Sequence, residues 1–148
     1  IIIAADHYPY GLSEASLTEI LGPGYSMFDM YKNTLIMYNP TFKHTVIDKP
    51  CYSIDILPTA LNLMGIDYDS RLLIGSDILS DSQGLVIFSD RSWITNYGVY
   101  NSSTGEFKPN QGMQVSDDYV DTICSIVRKK FSVSTLMLDN DYWGKVFG

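Results

Sequence analysis

The first seven residues, Ile1 to His7, constrain the fold of this chain most. Ile1-Ile2-Ile3-Ala4-Ala5 is an apolar, mostly β-branched run, which is typical of a strand buried on both faces of a sheet. A carboxylate and an imidazole follow it at once, in Asp6 and His7. In an open α/β sheet, ligands bind beyond the carboxyl ends of the strands, where these two side chains would project. The sequence therefore predicts an α/β domain with a candidate site at the end of its first strand.

Asp6 and His7 can hold one metal ion only if the chain bends at them. On an extended strand, neighbouring side chains point to opposite faces. The segment Tyr8-Pro9-Tyr10-Gly11 predicts the bend, because proline and glycine end a strand. Carboxylates and imidazoles are good ligands for zinc or manganese. The alternative interpretation is a carboxylate at a strand end beside a surface histidine.

Composition limits the class of protein. The chain has 148 residues, 45% of them hydrophobic and 13% aromatic, which predicts one folded domain over residues 1–148. Its net charge of −7 argues against nucleic acid as a partner, although a metal ion could still admit a phosphate-bearing substrate. The first residue already lies inside a hydrophobic run, so we expect a soluble fragment whose parent carries any membrane anchor upstream. Cys51 and Cys124 are predicted to be buried thiols rather than a disulfide or a metal site.

Periodicity and turn residues predict both helices and strands. Helices are predicted over Ser13 to Leu21, Ser53 to Met64 and Asp117 to Leu138, with a short terminal helix within Leu136 to Phe147. A second buried strand is predicted over Thr34 to Tyr38, and further strands over Leu85 to Asp90, Ser92 to Thr95, Gly98 to Asn101 and Glu106 to Lys108. The last four lie so close in sequence that only antiparallel hairpins can join them. We therefore expect a small meander followed by a long C-terminal helix.

Several polar residues in these elements are candidates for structural roles. Pro58 is predicted to occupy the first position of the regular helix, after a lead-in turn, and Gly65 to end it. Thr59 is predicted to pack or hydrogen-bond inward rather than act as a nucleophile, because no base lies near it in sequence. His44 is predicted to be a solvated loop residue, with a substrate contact as the alternative. The basic triplet Arg128-Lys129-Lys130 is predicted to form the solvated end of the long helix, followed by a bend.

The order of these motifs resembles a known family. DHYPYGL (6–12), TLIMYNP (34–40), SIDILPTALNLMGID (53–67) and IGSDIL (74–79) follow one another as in the C-terminal part of a sulfatase-like domain of the alkaline phosphatase superfamily. Within that superfamily the chain is most similar to lipoteichoic acid synthases, the bacterial phosphoglycerol transferases. The resemblance runs from Asp6 to about Phe147. Ala5 and Pro9 depart from it, since relatives often have glycine at both positions.

The resemblance implies a mechanism for the parent protein. In the family, one divalent ion is held by a glutamate, a threonine nucleophile and an Asp-His pair, which maps onto Asp6 and His7. The ion is commonly manganese, with zinc, magnesium and calcium as alternatives. It polarises the phosphoryl group and helps to ionise the threonine, whose attack forms a covalent intermediate that an alcohol or water resolves. Because imidazole binds a metal only when neutral, the metal should be lost under mildly acidic conditions.

Nothing in this chain matches the glutamate or the nucleophile, which the family carries upstream, so the chain alone is expected to be inactive. Its parent would act on a lipid- or glycan-linked phosphate or sulfate ester at the extracellular face of a bacterial membrane. Two alternatives are a sulfate- or phosphate-ester hydrolase of the same superfamily and a non-catalytic cell-surface binding module. A fragment cut at an interior strand would also expose an apolar edge, which predicts self-association through strand pairing.

Overall fold

The computed structural model describes the backbone of residues 1–148 and every side chain except that of Phe147. The chain divides into two compact units, Ile1–Thr45 and Val46–Gly148. The first unit contains two strands and two helices, which are β1 (Ile2–Ile3), α1 (Glu14–Leu21), α2 (Met27–Met30) and β2 (Ile36–Met37). The second contains β3 (Leu85–Ile87), β4 (Trp93–Thr95), β5 (Gly98–Asn101), β6 (Glu106–Pro109), α3 (Ile56–Leu63), α4 (Tyr119–Asp139) and α5 (Tyr142–Phe147). Helices together with antiparallel sheets confirm the predicted mixed α/β class.

The first strand is shorter and more exposed than the sequence predicts. β1 pairs antiparallel with β2, so that Ile2 faces Met37 and Ile3 faces Ile36. The relative exposure of Ile1, Ile2 and Ile3 is 77%, 48% and 56%. The prediction of strands buried in the sheet interior, here and over Thr34 to Tyr38, is therefore wrong for this chain. A two-stranded ribbon offers too little surface to cover either face of such a run.

The helices of the first unit begin at residues that cap them. Ser13 is the N-cap of α1, where its side chain accepts a hydrogen bond from the Ser16 amide, as predicted. Ser26 begins α2, and Ser26 and Asp29 form a reciprocal capping box. The periodicity of the sequence predicts no helix here, although the spacing Ser26-x-x-Asp29 is the pattern of a capping box. His44 is exposed in the loop after β2, which confirms its prediction as a solvated residue.

Helix α3 confirms the predicted helix, with its start shifted. A single 3-10 turn, Ser53–Asp55, leads into Ile56, so Pro58 lies at the third helical position rather than the first. Proline is tolerated there because the first helical amides have no intrahelical partner. At the other end, Gly65 has a φ of 66°, and the amides of Gly65 and Ile66 bond to the carbonyls of Asn62 and Leu61. This is a Schellman ending, which a left-handed glycine favours.

The predicted meander is confirmed and carries the main core. Its strand order is β3-β4-β5-β6, and all three pairings are antiparallel. Trp93 is fully buried and stacks on Tyr100, with ring centroids 5.2 Å apart. Ile123 and Val127 of α4 complete the buried cluster around it. Burying a large aromatic ring contributes much of the stability of a core of this size.

Helix α4 confirms the predicted long helix and corrects two details. It begins at Tyr119, after a turn in which the Tyr119 amide bonds to the Ser116 carbonyl, and it continues to Asp139 without the predicted bend. Lys130 therefore lies within the helix and is half-buried, whereas a solvated position was predicted. Cys51 and Cys124 are both free and half-buried. Among the described residues, no helix is both long and apolar enough to cross a bilayer.

Candidate functional site

The predicted bend after the first strand is present and is built by a tight turn. The chain bends at Asp6 and His7, and the Tyr10 amide donates to the Tyr8 carbonyl at 2.8 Å. A second bond joins the Leu12 amide to the Pro9 carbonyl at 3.3 Å. Proline fixes its own φ and has no amide hydrogen, so the chain leaves the strand direction here. The extended direction of the first strand therefore ends at Asp6 and His7.

Asp6 and His7 approach each other closely at the surface. The Nε2 atom of His7 lies 3.4 Å from Oδ1 of Asp6. Their side chains are 54% and 89% exposed, respectively, so both can be reached from solvent. The other ring nitrogen of His7, Nδ1, lies 2.9 Å from the Tyr8 carbonyl. A carbonyl only accepts, so Nδ1 is the donor of this bond, and when the ring is neutral its Nε2 lone pair faces the carboxylate.

The donor set and its geometry fit two ligands of a divalent ion. Two lone-pair acceptors facing each other repel unless a proton or a cation lies between them. Ligands about 2.1 Å from a tetrahedral ion are about 3.4 Å apart, which matches the separation of Nε2 and Oδ1. Among the described residues, no group of three or more His, Cys, Asp or Glu side chains could hold a metal. Asp6 and His7 therefore offer two donor groups, fewer than the four of a tetrahedral metal site.

In the second unit, Asp55 joins two of the sequence motifs, residues 53–67 and residues 74–79. This side chain is buried, with a relative exposure of 7%. Its carboxylate accepts hydrogen bonds from the Tyr52 amide at 3.0 Å and the Ser76 amide at 2.8 Å. The motifs around residues 55 and 76 are thereby tied together. No local pattern in the sequence predicts the bond between Asp55 and Ser76, because helix α3, a loop and a second 3-10 turn, Ser70–Leu72, separate the two residues.

Thr59 strengthens the same junction. Its hydroxyl donates to the Asp55 carbonyl at 2.6 Å and accepts from the Ile78 amide at 2.9 Å. With a relative exposure of 2%, Thr59 has the inward hydrogen-bonding role that the sequence predicts. Gly75 completes the contact, since an added Cβ would lie 2.0 Å from the Ile54 carbonyl oxygen. Asp55, Thr59 and Gly75 therefore form a structural network rather than a reactive site.

A cavity of about 190 Å³ lies beside this network and is lined by Asp55, Cys51 and Lys130, among others. Lys130 donates to the Ile74 carbonyl, and burial lowers the pKa of its ammonium group, an effect that Asp55 opposes. Burial, with a further contribution from Asp55, raises the pKa of the Cys51 thiol. It raises the pKa of Tyr52 to about 12, again with Asp55 contributing. A thiol held in its neutral form is a poor nucleophile, so the cavity carries no activated group of that kind.

Comparison with known proteins identifies similar sequences. The chain is 28% identical to lipoteichoic acid synthase 2 of Bacillus subtilis over an alignment of 157 positions, which covers 95% of this chain. It is 31% identical to a lipoteichoic acid synthase of Staphylococcus saprophyticus over 121 residues, or 76% of this chain. These similarities confirm the resemblance to lipoteichoic acid synthases that the motifs predicted.

The similarity covers a minor part of each relative. The chain spans 23% of the Bacillus protein and 18% of the Staphylococcus protein. No protein-family model matches the chain. No solved structure matches it either.

Proposed function

We propose that this chain is the C-terminal part of a metal-dependent phosphoglycerol transferase of the lipoteichoic acid synthase type. The observation that carries the proposal is the 3.4 Å approach of Asp6 and His7, in a chain similar to such synthases over 95% of its length. The parent is proposed to act at the extracellular face of a bacterial membrane, on a lipid-linked phosphate ester.

Asp6 and His7 are proposed to contribute two ligands to one divalent ion, with manganese as the proposed metal. Bound there, the ion would supply Lewis-acid polarisation of a phosphoryl oxygen. Asp6 would add a full negative charge and His7 a neutral nitrogen, a set that suits a borderline divalent cation. Nε2 is the nitrogen of His7 that would bind the ion, because Nδ1 donates to the Tyr8 carbonyl.

The chain alone is proposed to be inactive. Two ligands hold an ion weakly. The hydroxyl of the buried Thr59 both donates a hydrogen bond to a backbone carbonyl and accepts one from a backbone amide, so it is not available as a nucleophile. A nucleophile and further ligands would come from other parts of the parent. The Asp55 network is proposed to serve catalysis only indirectly, by stabilising the second unit.

The test uses the full-length protein that contains this chain. Release of glycerol phosphate from a phosphatidylglycerol analogue should require manganese and fall to background in Asp6→Ala and His7→Ala. His44→Ala is the matched control, because it removes the other histidine of the chain and should retain activity. Manganese binding without any release would favour the ester hydrolase of the same superfamily. No manganese binding would favour the non-catalytic cell-surface module.

A further inference from the structure

The turn after His7 does more than redirect the chain. The Tyr8 carbonyl accepts two hydrogen bonds, from His7 Nδ1 at 2.9 Å and from the Tyr10 amide at 2.8 Å. The second bond closes a three-residue turn, which fixes the direction of this carbonyl. The Tyr8 carbonyl, which determines the imidazole nitrogen that carries the proton, is thus itself held in place. In neutral imidazole, the tautomer is set by the hydrogen bond that one nitrogen makes.

An aromatic cluster holds the plane of the same imidazole. The rings of His7 and Tyr10 have centroids 4.8 Å apart at an interplanar angle of 53°. Tyr10 contacts the Tyr8 ring at 5.9 Å, and Tyr8 contacts Tyr31 at 4.9 Å. Tyr31 directly follows α2, whose start is fixed by the capping box at Ser26. The cluster therefore connects the imidazole to a helix of the same unit.

Core packing does not explain the position of Tyr10. This residue is 69% exposed, so its ring covers His7 while gaining little from burial. An exposed tyrosine ordinarily samples several rotamers, and the contact with the imidazole favours one of them. Tilted ring pairs of this spacing attract each other beyond the area that they bury, so the contact favours one orientation of the imidazole.

We propose that Tyr8 and Tyr10 are positioning residues for His7, which keep the proton on Nδ1 and present Nε2 to a divalent cation beside Asp6. The inference rests on the proposed function for the identity of the ligand. The orientation and tautomer of the metal-free imidazole can nevertheless be tested by themselves. Outer groups that orient a metal-binding histidine typically change metal affinity 10- to 100-fold.

The experiment is ¹⁵N NMR of the metal-free chain labelled in its histidines, at mildly alkaline pH. The chain has two histidines, so His44 in its exposed loop serves as an internal reference for an unconstrained ring. His7 should carry its proton mainly on Nδ1, and His44 mainly on Nε2. Tyr10→Ala should move the His7 shifts toward those of His44. Tyr10→Phe keeps the ring and should leave them unchanged, as should Tyr38→Ala, which removes another exposed tyrosine of the same unit.

Matching shifts for His7 and His44 in the unmodified chain would overturn the inference, and so would an unchanged His7 in Tyr10→Ala. Manganese titration then separates the two proposals. Paramagnetic broadening should be stronger at His7 than at His44. Tyr10→Ala should lower the apparent affinity for manganese, measured from this broadening, about tenfold. Equal broadening of both histidines would refute the metal role proposed for the pair. The positioning role is judged by the metal-free tautomer alone.

Discussion

Replacing Asp55 by alanine tests whether the network around it holds the second unit together. The carboxylate is buried and accepts the amides of Tyr52 and Ser76, which belong to segments far apart in sequence. Alanine would leave both amides without these acceptors. It would also detach the loop that carries Gly75 and Ser76 from the start of α3. We therefore expect a large loss of stability from one exchange.

The magnitude follows from the two bonds. A hydrogen bond to a charged group contributes about 1.5–3 kcal/mol, so two contribute about 3–6 kcal/mol. Removal of the carboxylate also relieves the cost of burying it, and water can enter the adjoining cavity, which offsets part of the loss. A net destabilisation of about 3 kcal/mol is expected. For a unit of about 100 residues this lowers Tm by roughly 12 °C.

Urea unfolding followed by tryptophan fluorescence measures this change. Trp93 is fully buried in the core of the second unit, so its emission reports the unfolding of that unit. The matched control is Asp81→Ala, because Asp81 is an exposed carboxylate of the same unit. A surface exchange of this kind changes the free energy of unfolding by about 0.5 kcal/mol or less. If Asp55→Ala costs no more than Asp81→Ala, the hydrogen-bond network does not stabilise the fold as argued.

Three further changes probe the same region. Thr59→Val keeps the shape of the side chain but removes the hydroxyl between the Asp55 carbonyl and the Ile78 amide, so urea unfolding should show a loss of about 2 kcal/mol, while Thr59→Ser should lose less. Gly75→Ala should destabilise the second unit by about 2 kcal/mol or more, because its Cβ would lie 2.0 Å from a backbone oxygen; a thermal midpoint equal to that of the unmodified chain would contradict the packing. Burial and Asp55 raise the pKa of Tyr52 from 10.0 to about 12. Because the folded state keeps the phenolic proton to a higher pH than the unfolded state, the free energy of unfolding should fall as pH rises from 10.0 to about 12. Tyr52→Phe should remove that component from the pH dependence and from the absorbance titration of the tyrosines.

Local signals predicted much of the fold. Ser13 before α1, Gly65 after α3 and the close spacing of the strands from Leu85 onward each act through neighbours in sequence. Capping, turn and hairpin rules apply to such neighbours directly. The bend after Asp6 is also a local feature, because Pro9 and Gly11 predict it. These features were correct because little else in the chain competes with them.

Burial was predicted less well because it depends on distant partners. The run Ile1 to Ile3 has the composition of an interior strand, yet its observed partner is a strand of two residues. Lys130 looked like a solvated charge at a helix end, but the helix continues and the ammonium group reaches the Ile74 carbonyl. Both outcomes depend on which segments meet in three dimensions. Periodicity along one segment does not predict which other segment it contacts in the folded chain.

Two of the four motifs that carry the family resemblance, residues 6–12 and 53–67, have different physical roles, and this difference decides what each can say about function. Asp55, Pro58 and Thr59 of the second motif are buried, and Asp55 and Thr59 bond to backbone groups, so these residues serve the fold rather than a particular reaction. Asp6 and His7 are exposed, and their approach gains little from packing. A carboxylate and an imidazole held close together by an exposed turn are better explained by binding than by folding, which is why the metal role is proposed for them. The chemistry of the parent should therefore be tested at Asp6 and His7, and the integrity of the fold at Asp55.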